Sequence, residues 1–401
     1  MNRYTRRCFL RTMASAPMAF GATSERGKTF RVDSEIKEYK DPETGARVRQ
    51  LTGDGSDNVH LYFTTDSFIS GSDRVVFGSN RSGRFQYYLM EVKEKRLVQL
   101  TDVAALEPQQ GSLGGGRLFY FDGPALHCLR LDNLEDRELY RAPKGFKPHL
   151  STCTADGSHV AFAYGEELAN STETGRIYAT MPETFYQRPT CVIMRVEAGT
   201  GKTVAAWGER MWISHVLIHP TQPNLILFCH EGGSLSLQRM WTVNMAQERG
   251  RKAEPLYVQK ANEYCVHEYF TRGGEIGFQY EVDRESHREY YNAFIRPDGT
   301  WIRQYLLPGP RPGHIQSNTT NTLVVGDAGY LSPTDKDGGK YMSLMTHANG
   351  RAAVRRLCRW QPGSTQHSHG HPVFSFDDRW VLFNSRIGDR DNVFMADVES
   401  I

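Results

Sequence analysis

The residues most able to bind a metal ion lie near the C-terminus, in the segment 366–372 with the sequence QHSHGHP. In an extended chain the side chains at positions i and i+2 point to the same side, so His369 and His371 can reach one ion. Gln366 can add an amide oxygen from the preceding loop. Such ligands suit a divalent ion such as Mn, Fe, Co, Ni or Zn. The spacing alone is equally compatible with a polar loop whose histidines are solvated.

Three further side chains are candidates for contact with a substrate. His230 lies in the motif FCHEG (228–232), where it either binds a substrate or satisfies backbone groups of a turn. Arg239 interrupts an apolar pattern, so its guanidinium must meet a carboxylate of the protein or of a ligand. Arg81 follows Asn80 in a sequence that favours a surface turn, which makes it the weaker candidate for substrate binding.

The composition favours a packed globular protein rich in strands and turns. Of 401 residues, 39% are hydrophobic and 23% charged, with 37 Gly, and the formal net charge is +2. This balance argues against disorder, and it lacks the basic face of a nucleic-acid or membrane-surface binder.

The N-terminal residues have the form of an export signal. Arg6 and Arg7, followed by Phe9 and Leu10, resemble a twin-arginine motif, and a weakly apolar stretch follows at 13–22. We expect residues 1–25 to be the signal, residues 26–401 to be the mature domain, and the mature protein to be periplasmic without a membrane segment. The alternative is a basic N-terminus on a cytoplasmic protein.

A repeated strand pattern predicts the fold. The segments 62–92 and 371–398 share an aromatic strand, a Gly/Asp turn, an apolar strand, a polar turn and a final alternating strand. Weaker copies lie at 111–131, 148–166, 215–243, 267–295 and 314–346. Seven copies at a spacing of roughly fifty residues predict an all-β, seven-bladed β-propeller. The alternative is a β-sandwich followed by a second β domain.

The two ends of the chain predict how the propeller closes. The last copy ends at Ile401 without an outer strand, whereas a matching strand at 46–52 precedes the first copy. Pairing these two strands would close the ring and remove an exposed edge.

Histidines recur near the start of successive copies, as His215, His267, His314 and His371. They either close blade turns by hydrogen bonds or line the central channel of the propeller. In the second case His314 is a further metal ligand and His267 is a candidate base beside it.

Taken in order, these motifs resemble the oligogalacturonate lyases, a polysaccharide lyase family with a seven-bladed propeller fold. The similarity runs from about Tyr39 to the C-terminus. It is carried by the following segments: 51–52, 62–64, 80–81, 100–101, 228–232, 238–241, 266–268, 314–327 and the closing Q-x-x-H-x-H-P element at 366–372.

The resemblance implies a reaction and a role for each site residue. It implies a manganese-like ion held by the four residues His314, Gln366, His369 and His371. It further implies that His267 is the base, that Arg239 is essential, and that short galacturonate oligomers are cleaved by β-elimination. A metal on the C6 carboxylate stabilises the charge that develops when C5 loses its proton, and an imidazole is a suitable acceptor for that proton.

Some features depart from the family. The segment 165–190 is longer than expected, Gly370 stands where the family often has proline, and export is unexpected for an activity associated with the cytoplasm. Two alternatives therefore stay open: the same mechanism on another uronate-containing oligosaccharide, and a non-catalytic periplasmic propeller whose histidines are structural.

Overall fold

The computed structural model describes residues 25–169, 180–247 and 251–401, and the regular secondary structure of this part of the chain is almost entirely β-strand. The all-β prediction is confirmed. The expected export signal, apart from residue 25, lies outside the described residues, as do residues 170–179 of the longer segment. No helix in the described ranges is long and apolar enough to cross a membrane.

The strands form six hydrogen-bonded sheets, and neighbouring strands within each sheet are almost all antiparallel. The first sheet contains, in spatial order, β1 (Thr29–Arg31), β7 (Arg96–Gln99), β6 (Gln86–Glu91), β5 (Arg74–Ser79) and β4 (Asn58–His60). The second contains β11 (Asp136–Arg141), β10 (Ala125–Arg130), β9 (Arg117–Asp122) and β8 (Ser112–Gly114). The third contains β12 (Phe146–Cys153), β13 (His159–Glu166), β14 (Thr190–Glu197) and β15 (Thr203–Arg210).

The remaining sheets follow the same order along the chain. The fourth contains β16 (Ile213–Ile218), β17 (Leu225–His230), β18 (Met240–Asn244) and β19 (Ala253–Pro255). An eight-stranded sheet contains β20 (Glu263–Phe270), β21 (Ile276–Asp283), β22 (Arg288–Ile295), β23 (Trp301–Leu306), β27 (Arg351–Arg359), β26 (Tyr341–Ala348), β25 (Leu323–Gly326) and β24 (Ile315–Ser317). Its two halves are joined by one parallel pair, Leu306 with Arg351.

The sixth sheet combines both ends of the described chain. It contains β2 (Lys37–Lys40), β3 (Arg47–Gln50), β30 (Arg390–Asp397), β29 (Trp380–Ile387) and β28 (Val373–Phe374). Val48 lies opposite Ala396 in antiparallel register, and both side chains are buried with Phe394. The strand predicted at 46–52 therefore pairs with the last predicted copy.

Burial explains why the middle strands have nearly continuous apolar sequences. All six residues of β6 except Glu91 are buried, and β5 is buried from Val75 to Ser79, so both faces of these strands are covered. In contrast, β11 at a sheet edge has no buried residue. The core therefore lies between sheets that pack face to face, as expected for strands that are apolar on both faces.

The first strands of three successive sheets share an irregularity. The register of β12 with β13 shifts between Pro148 and Ser151, and that of β16 with β17 shifts between Ile213 and Val216. The register of β20 with β21 shifts between Val266 and Tyr269. Such irregularities re-aim side chains. Each contains one histidine: His149, His215 or His267.

One short α-helix, α1 (Met181–Gln187), lies in the connection between β13 and β14. The sequence analysis found no helix here, although Pro182 in the first turn and Glu183 after it are typical of a helix start. Phe185 of this helix packs against Gly232, where an added Cβ would lie 2.5 Å from the ring. Short 3-10 helices lie at Gly233–Leu235, Gly338–Lys340, Gln366–Ser368 and Val398–Ser400.

Candidate metal centre and active-site cavity

A cavity of about 830 Å³ opens where the first strands of the sheets, and the loops that precede them, converge. Helix α1 contributes Met181 to its wall, and Trp212 and Trp360 contribute aromatic surface. Six histidines from different parts of the chain line it: His149, His215, His267, His314, His367 and His369. The cavity therefore brings together residues that are far apart in sequence.

The four predicted metal ligands lie together. His314, His369 and His371 each offer one ring nitrogen, and these nitrogens lie within 4.8 Å of one another. The amide nitrogen of Gln366 lies 3.4 Å from Nε2 of His371. Three imidazoles and an amide are a ligand set that divalent transition metals accept.

Hydrogen bonds orient His314 for coordination. Its Nδ1 lies 2.8 Å from Oδ2 of Asp327, while Oδ1 of that carboxylate accepts the backbone N–H of His314 at 2.7 Å. Nε2 of His314 is buried and has no hydrogen-bond partner among the described residues. A buried nitrogen without a partner is costly, and a cation would satisfy it. A carboxylate behind a ligating histidine is also a frequent feature of metal sites.

A similar contact supports His371. Its Nδ1 lies 2.8 Å from the amide nitrogen of Gln109, whose buried amide oxygen has no partner among the described residues. The two amide atoms are distinguished only by their hydrogen bonds. Turning this amide over would let the oxygen accept the Nδ1 proton of His371, which leaves Nε2 to face Gln366.

Burial keeps two of the ligand imidazoles neutral. Burial is the main reason why the pKa of His371 lies well below its usual range, and burial also lowers the pKa of His369. The neighbouring His314 lowers both pKa values further. A neutral imidazole has a lone pair for a metal. The cluster therefore has the properties of a cation-binding site and not those of a group of charged surface histidines.

His267 lies beside the metal ligands, with its ring centroid 4.5 Å from that of His314. Its Nδ1 is 2.7 Å from Oε1 of the buried Gln279, and Nε2 of Gln279 donates to the carbonyl of Pro312 at 2.9 Å. Because a carbonyl can only accept, the Gln279 amide has one orientation, and Nδ1 of His267 must carry the proton. Nε2 of His267 then has the free lone pair.

Arg239 binds two carboxylates of the protein. Its Nε donates to Oε2 of Glu268 at 2.8 Å, and its Nη1 donates to Oε1 of Glu231 at 3.1 Å. Burial raises the pKa of Glu231, but the positive charges of Arg239 and His215 outweigh it and lower that pKa to about 2. Both alternatives for the partner of Arg239 were open from the sequence, and the structure shows a protein partner.

A hydrogen-bonded chain continues from Glu268 into the cavity. Oε1 of Glu268 lies 2.9 Å from Nδ1 of His215, and Nε2 of His215 lies 3.2 Å from the hydroxyl of Tyr62. The ring of Tyr62 contacts that of His371 at 4.7 Å between centroids. His215, the first of the repeated histidines, thus links the arginine network to the predicted metal ligands.

Phe63 is fully buried and packs against the histidine rings of the cluster. Its ring contacts those of His215, His267, Tyr269, His314 and His371. Its two neighbours along the chain line different cavities: Tyr62 faces the large one, whereas Thr64 lines a second cavity of about 250 Å³. The ring of Phe63 therefore separates the two spaces.

Two predicted substrate-binding residues lie away from the cavity. Nε2 of His230 is 2.7 Å from Oε1 of Glu209, and its ring packs on Trp241. Arg81 pairs with Glu35 through contacts of 3.1 and 3.2 Å. Both side chains have protein partners, so their positions give no support to a role in substrate binding.

Several residues at and around the cavity were not predicted from the sequence. Asp327 and Gln279 contact histidine rings: Asp327 directly follows β25, and Gln279 lies on β21, which pairs with the strand that carries His267. His149 also lines the cavity, at the same irregularity as His215 and His267. Its position in the third copy was the available signal, because it falls where the other copies have histidine.

Comparisons with known proteins identify the family of this chain. A sequence model of the oligogalacturonate lyase family matches residues 26–401. The chain is 27% identical over 377 residues to an oligogalacturonide lyase from Pectobacterium atrosepticum and 26% identical over 377 residues to an oligogalacturonate lyase from Dickeya dadantii. Each of these alignments covers 90% of this chain and 95% of the relative. A solved structure of an oligogalacturonate lyase in complex with manganese superposes with a TM-score of 0.79 at 24% identity, covering 93% of this chain and 98% of that one, which shows a shared fold. The chain belongs to the oligogalacturonate lyase family.

Proposed function

We propose that this protein is a metal-dependent lyase that cleaves short oligogalacturonates, the fragments of pectin, by β-elimination. The observation that carries the proposal is the cluster formed by His314, Gln366, His369 and the buried His371 at the wall of the cavity, with His267 beside it. Membership of the family and the names of the relatives support the substrate class.

The scaffold proposed for this site is a seven-bladed propeller. Division of the eight-stranded sheet at its single parallel pair gives seven groups of strands in chain order. Each predicted copy falls within one of these groups. The pairing of β3 with β30 supports closure of the ring between the first and last parts of the chain.

The four clustered residues would hold the cation. A divalent ion, for which we propose Mn²⁺, would withdraw charge from the C6 carboxylate of the bound sugar and so acidify the C5 proton. Asp327 and Gln109 keep the rings of His314 and His371 aimed at that position. Trp212 and Met181 give the cavity wall apolar surface.

In this proposal His267 accepts the C5 proton at Nε2. The hydrogen bond from Nδ1 to Gln279 keeps Nε2 free and fixes the plane of the ring. Burial, followed by the charges of His314 and Arg311, holds the pKa of His267 well below its usual range, so that the imidazole is neutral before reaction. Arg239 holds Glu268 and, through it, His215 and Tyr62 at the side of the cavity.

The test measures the absorbance of the unsaturated uronate product with and without a chelator, together with the bound metal. We expect His369→Ala to lose metal and activity, because it removes a ligand. We expect His267→Ala to retain metal and lose turnover by a factor on the order of 10²–10⁴, the usual contribution of a general base. His287→Ala, which changes a 60% exposed histidine outside the cavity, is the matched control.

Loss of metal in both variants would contradict the separate roles, and full activity in the presence of chelator would contradict metal dependence.

We also propose export by the twin-arginine route, on the basis of Arg6 and Arg7. Recovery of the protein from the cytoplasm with an intact N-terminus would contradict export.

A further inference from the structure

The cavity has few positively charged side chains with which to bind an acidic substrate. Among the described residues that line it are two arginines, Arg239 and Arg311, and no lysine. The side chain of Arg239 is only 7% exposed and is held by Glu231 and Glu268. Its guanidinium cannot turn to a substrate without leaving buried carboxylates unpaired, which is strongly unfavourable.

Arg311 is held in place by the protein, but one of its guanidinium nitrogens is free to donate to a ligand. Its side chain is 27% exposed, its Nε pairs with Glu281, and its Nη1 donates to the carbonyl of Pro312 at 3.1 Å. Nη2 has no hydrogen-bond partner in the part of the chain that the structure describes. Because the stem is fixed by Glu281, little flexibility would be lost when Nη2 binds a ligand.

Its neighbours place Arg311 close to the reacting sugar. Oε1 of Gln279 lies 3.4 Å from Nη1 of Arg311 and also contacts Nδ1 of His267. Arg311 precedes the metal ligand His314 by three residues. Arg311 and His267 therefore line neighbouring parts of the cavity, as binding of the two sugars of a disaccharide would require.

We propose that Arg311 binds the carboxylate of the departing sugar and thereby selects substrates in which both sugars are acidic. The inference rests on the proposed function, in which the metal ligands account for the carboxylate of the reacting sugar. A guanidinium recognises a carboxylate by charge-assisted hydrogen bonds, whereas a neutral ester offers a weaker acceptor.

The test compares two disaccharides, digalacturonate and its analogue methyl-esterified on the departing sugar. Binding to the Mn²⁺-loaded full chain is measured by calorimetry in a His267→Ala background, and KM and kcat are measured in the active background. Arg311→Gln is expected to raise Kd and KM for digalacturonate roughly 10- to 100-fold, the range for a hydrogen bond to a charged group, with bound metal nearly unchanged. Because Arg311 also contacts Gln279, which orients His267, the affinity and not kcat decides the assignment. The esterified analogue should bind both proteins equally.

Arg288→Gln is the matched control, because Arg288 shares the carboxylate of Glu281 at 2.9 Å but does not line the cavity. It should leave the affinity for digalacturonate close to that of the unmodified protein, and Arg311→Lys should recover part of the loss. An equal loss on both disaccharides, or the same loss in Arg288→Gln, would overturn the assignment.

The two proposals fail in different ways. If the unmodified protein does not cleave digalacturonate, the lyase proposal fails. If it cleaves digalacturonate normally and Arg311→Gln binds it with unchanged affinity, only the role of Arg311 is lost.

Discussion

At the scale of single residues, the partner of each histidine ring decides what that histidine can do. Asp327 behind His314 leaves the opposite nitrogen for a cation, whereas Gln279 behind His267 leaves the opposite nitrogen for a proton. The carboxylate makes its histidine a better ligand, and the amide adds no charge. The different partners at Nδ1 therefore suit these two imidazoles, whose ring centroids lie 4.5 Å apart, to the two different roles proposed for them.

Gly370, between two proposed ligands, provides a test of packing around the metal centre. A Cβ at this position would lie 2.4 Å from Cε of Met342 and 2.7 Å from Cβ of Asp327. The Met342 side chain can move, but Asp327 is held by His314. We expect Gly370→Ala to weaken metal binding roughly 10- to 100-fold, as loss of a supporting contact does, measured by metal titration.

Gly199→Ala is the control for this prediction, since nothing lies within 4 Å of its Cβ position. Unchanged metal affinity in Gly370→Ala would show that Asp327 can shift without disturbing His314. The sequence alone could not indicate these close contacts, because they come from residues distant in the chain.

The four candidate ligands and the neighbouring histidine, all predicted from the sequence, lie together, whereas two other predicted residues lie elsewhere. Adjacent residues of a strand face opposite sides. In the FCHEG motif this places Glu231 at the cavity and turns His230 towards Glu209. A motif identifies the position in the chain but not the side of the strand. The partner of Arg81, Glu35, lies in the N-terminal segment, and no local pattern indicates that contact.

At the scale of elements, the site depends on breaks in regular pairing. Strands β12, β16 and β20 each shift register where a histidine occurs, and His267 adopts a φ of 55° there. A positive φ is uncommon for a residue with a side chain and is found at functional sites. Alternation in the sequence predicted these strands, but it could not predict the irregularities, which depend on contacts with the central rings.

Arg239 joins the fourth sheet to β20, and this connection predicts a pH dependence of stability. The pKa of Glu231 is about 2 in the folded protein against 4.5 ordinarily. Between these values the unfolded chain binds a proton that the folded protein does not. The stabilisation is therefore complete above about pH 4.5 and is lost as pH falls towards 2.

Glu231→Gln should reduce the dependence of the unfolding free energy on pH in that window, by up to about 1.4 kcal/mol per pH unit. Urea unfolding at several values between pH 5 and pH 3 measures the slope. Glu285→Gln, at an exposed glutamate without an ion pair in the described ranges, should leave it unchanged. A slope equal to that of the unmodified protein in Glu231→Gln would contradict the prediction.

At the scale of the whole molecule, the pairing of β3 with β30 connects the two ends of the described chain. The missing outer strand of the last copy made this pairing predictable from sequence. The eight-stranded arrangement of the fifth and sixth copies was not predictable, because a single contact between Leu306 and Arg351 creates it.

A disulfide between Val48→Cys and Ala396→Cys tests this connection. The two residues are directly paired, and paired antiparallel residues have Cα atoms within the range that a disulfide spans. We expect an intramolecular bond, seen by mass spectrometry, that raises the free energy of unfolding by roughly 2–4 kcal/mol. Each single cysteine variant is a control. Only intermolecular bonds, or no bond, would argue against the pairing.

Phe63 limits how a polymer can use the cavity. The ring of Phe63 lies between the large cavity and the smaller one on its far side, so a chain of sugars that enters cannot thread through. Both halves of a cleaved chain must leave by the way they came in. Under the proposed function, substrate and both products therefore pass through the one face of the molecule to which Trp212, Trp360 and helix α1 contribute.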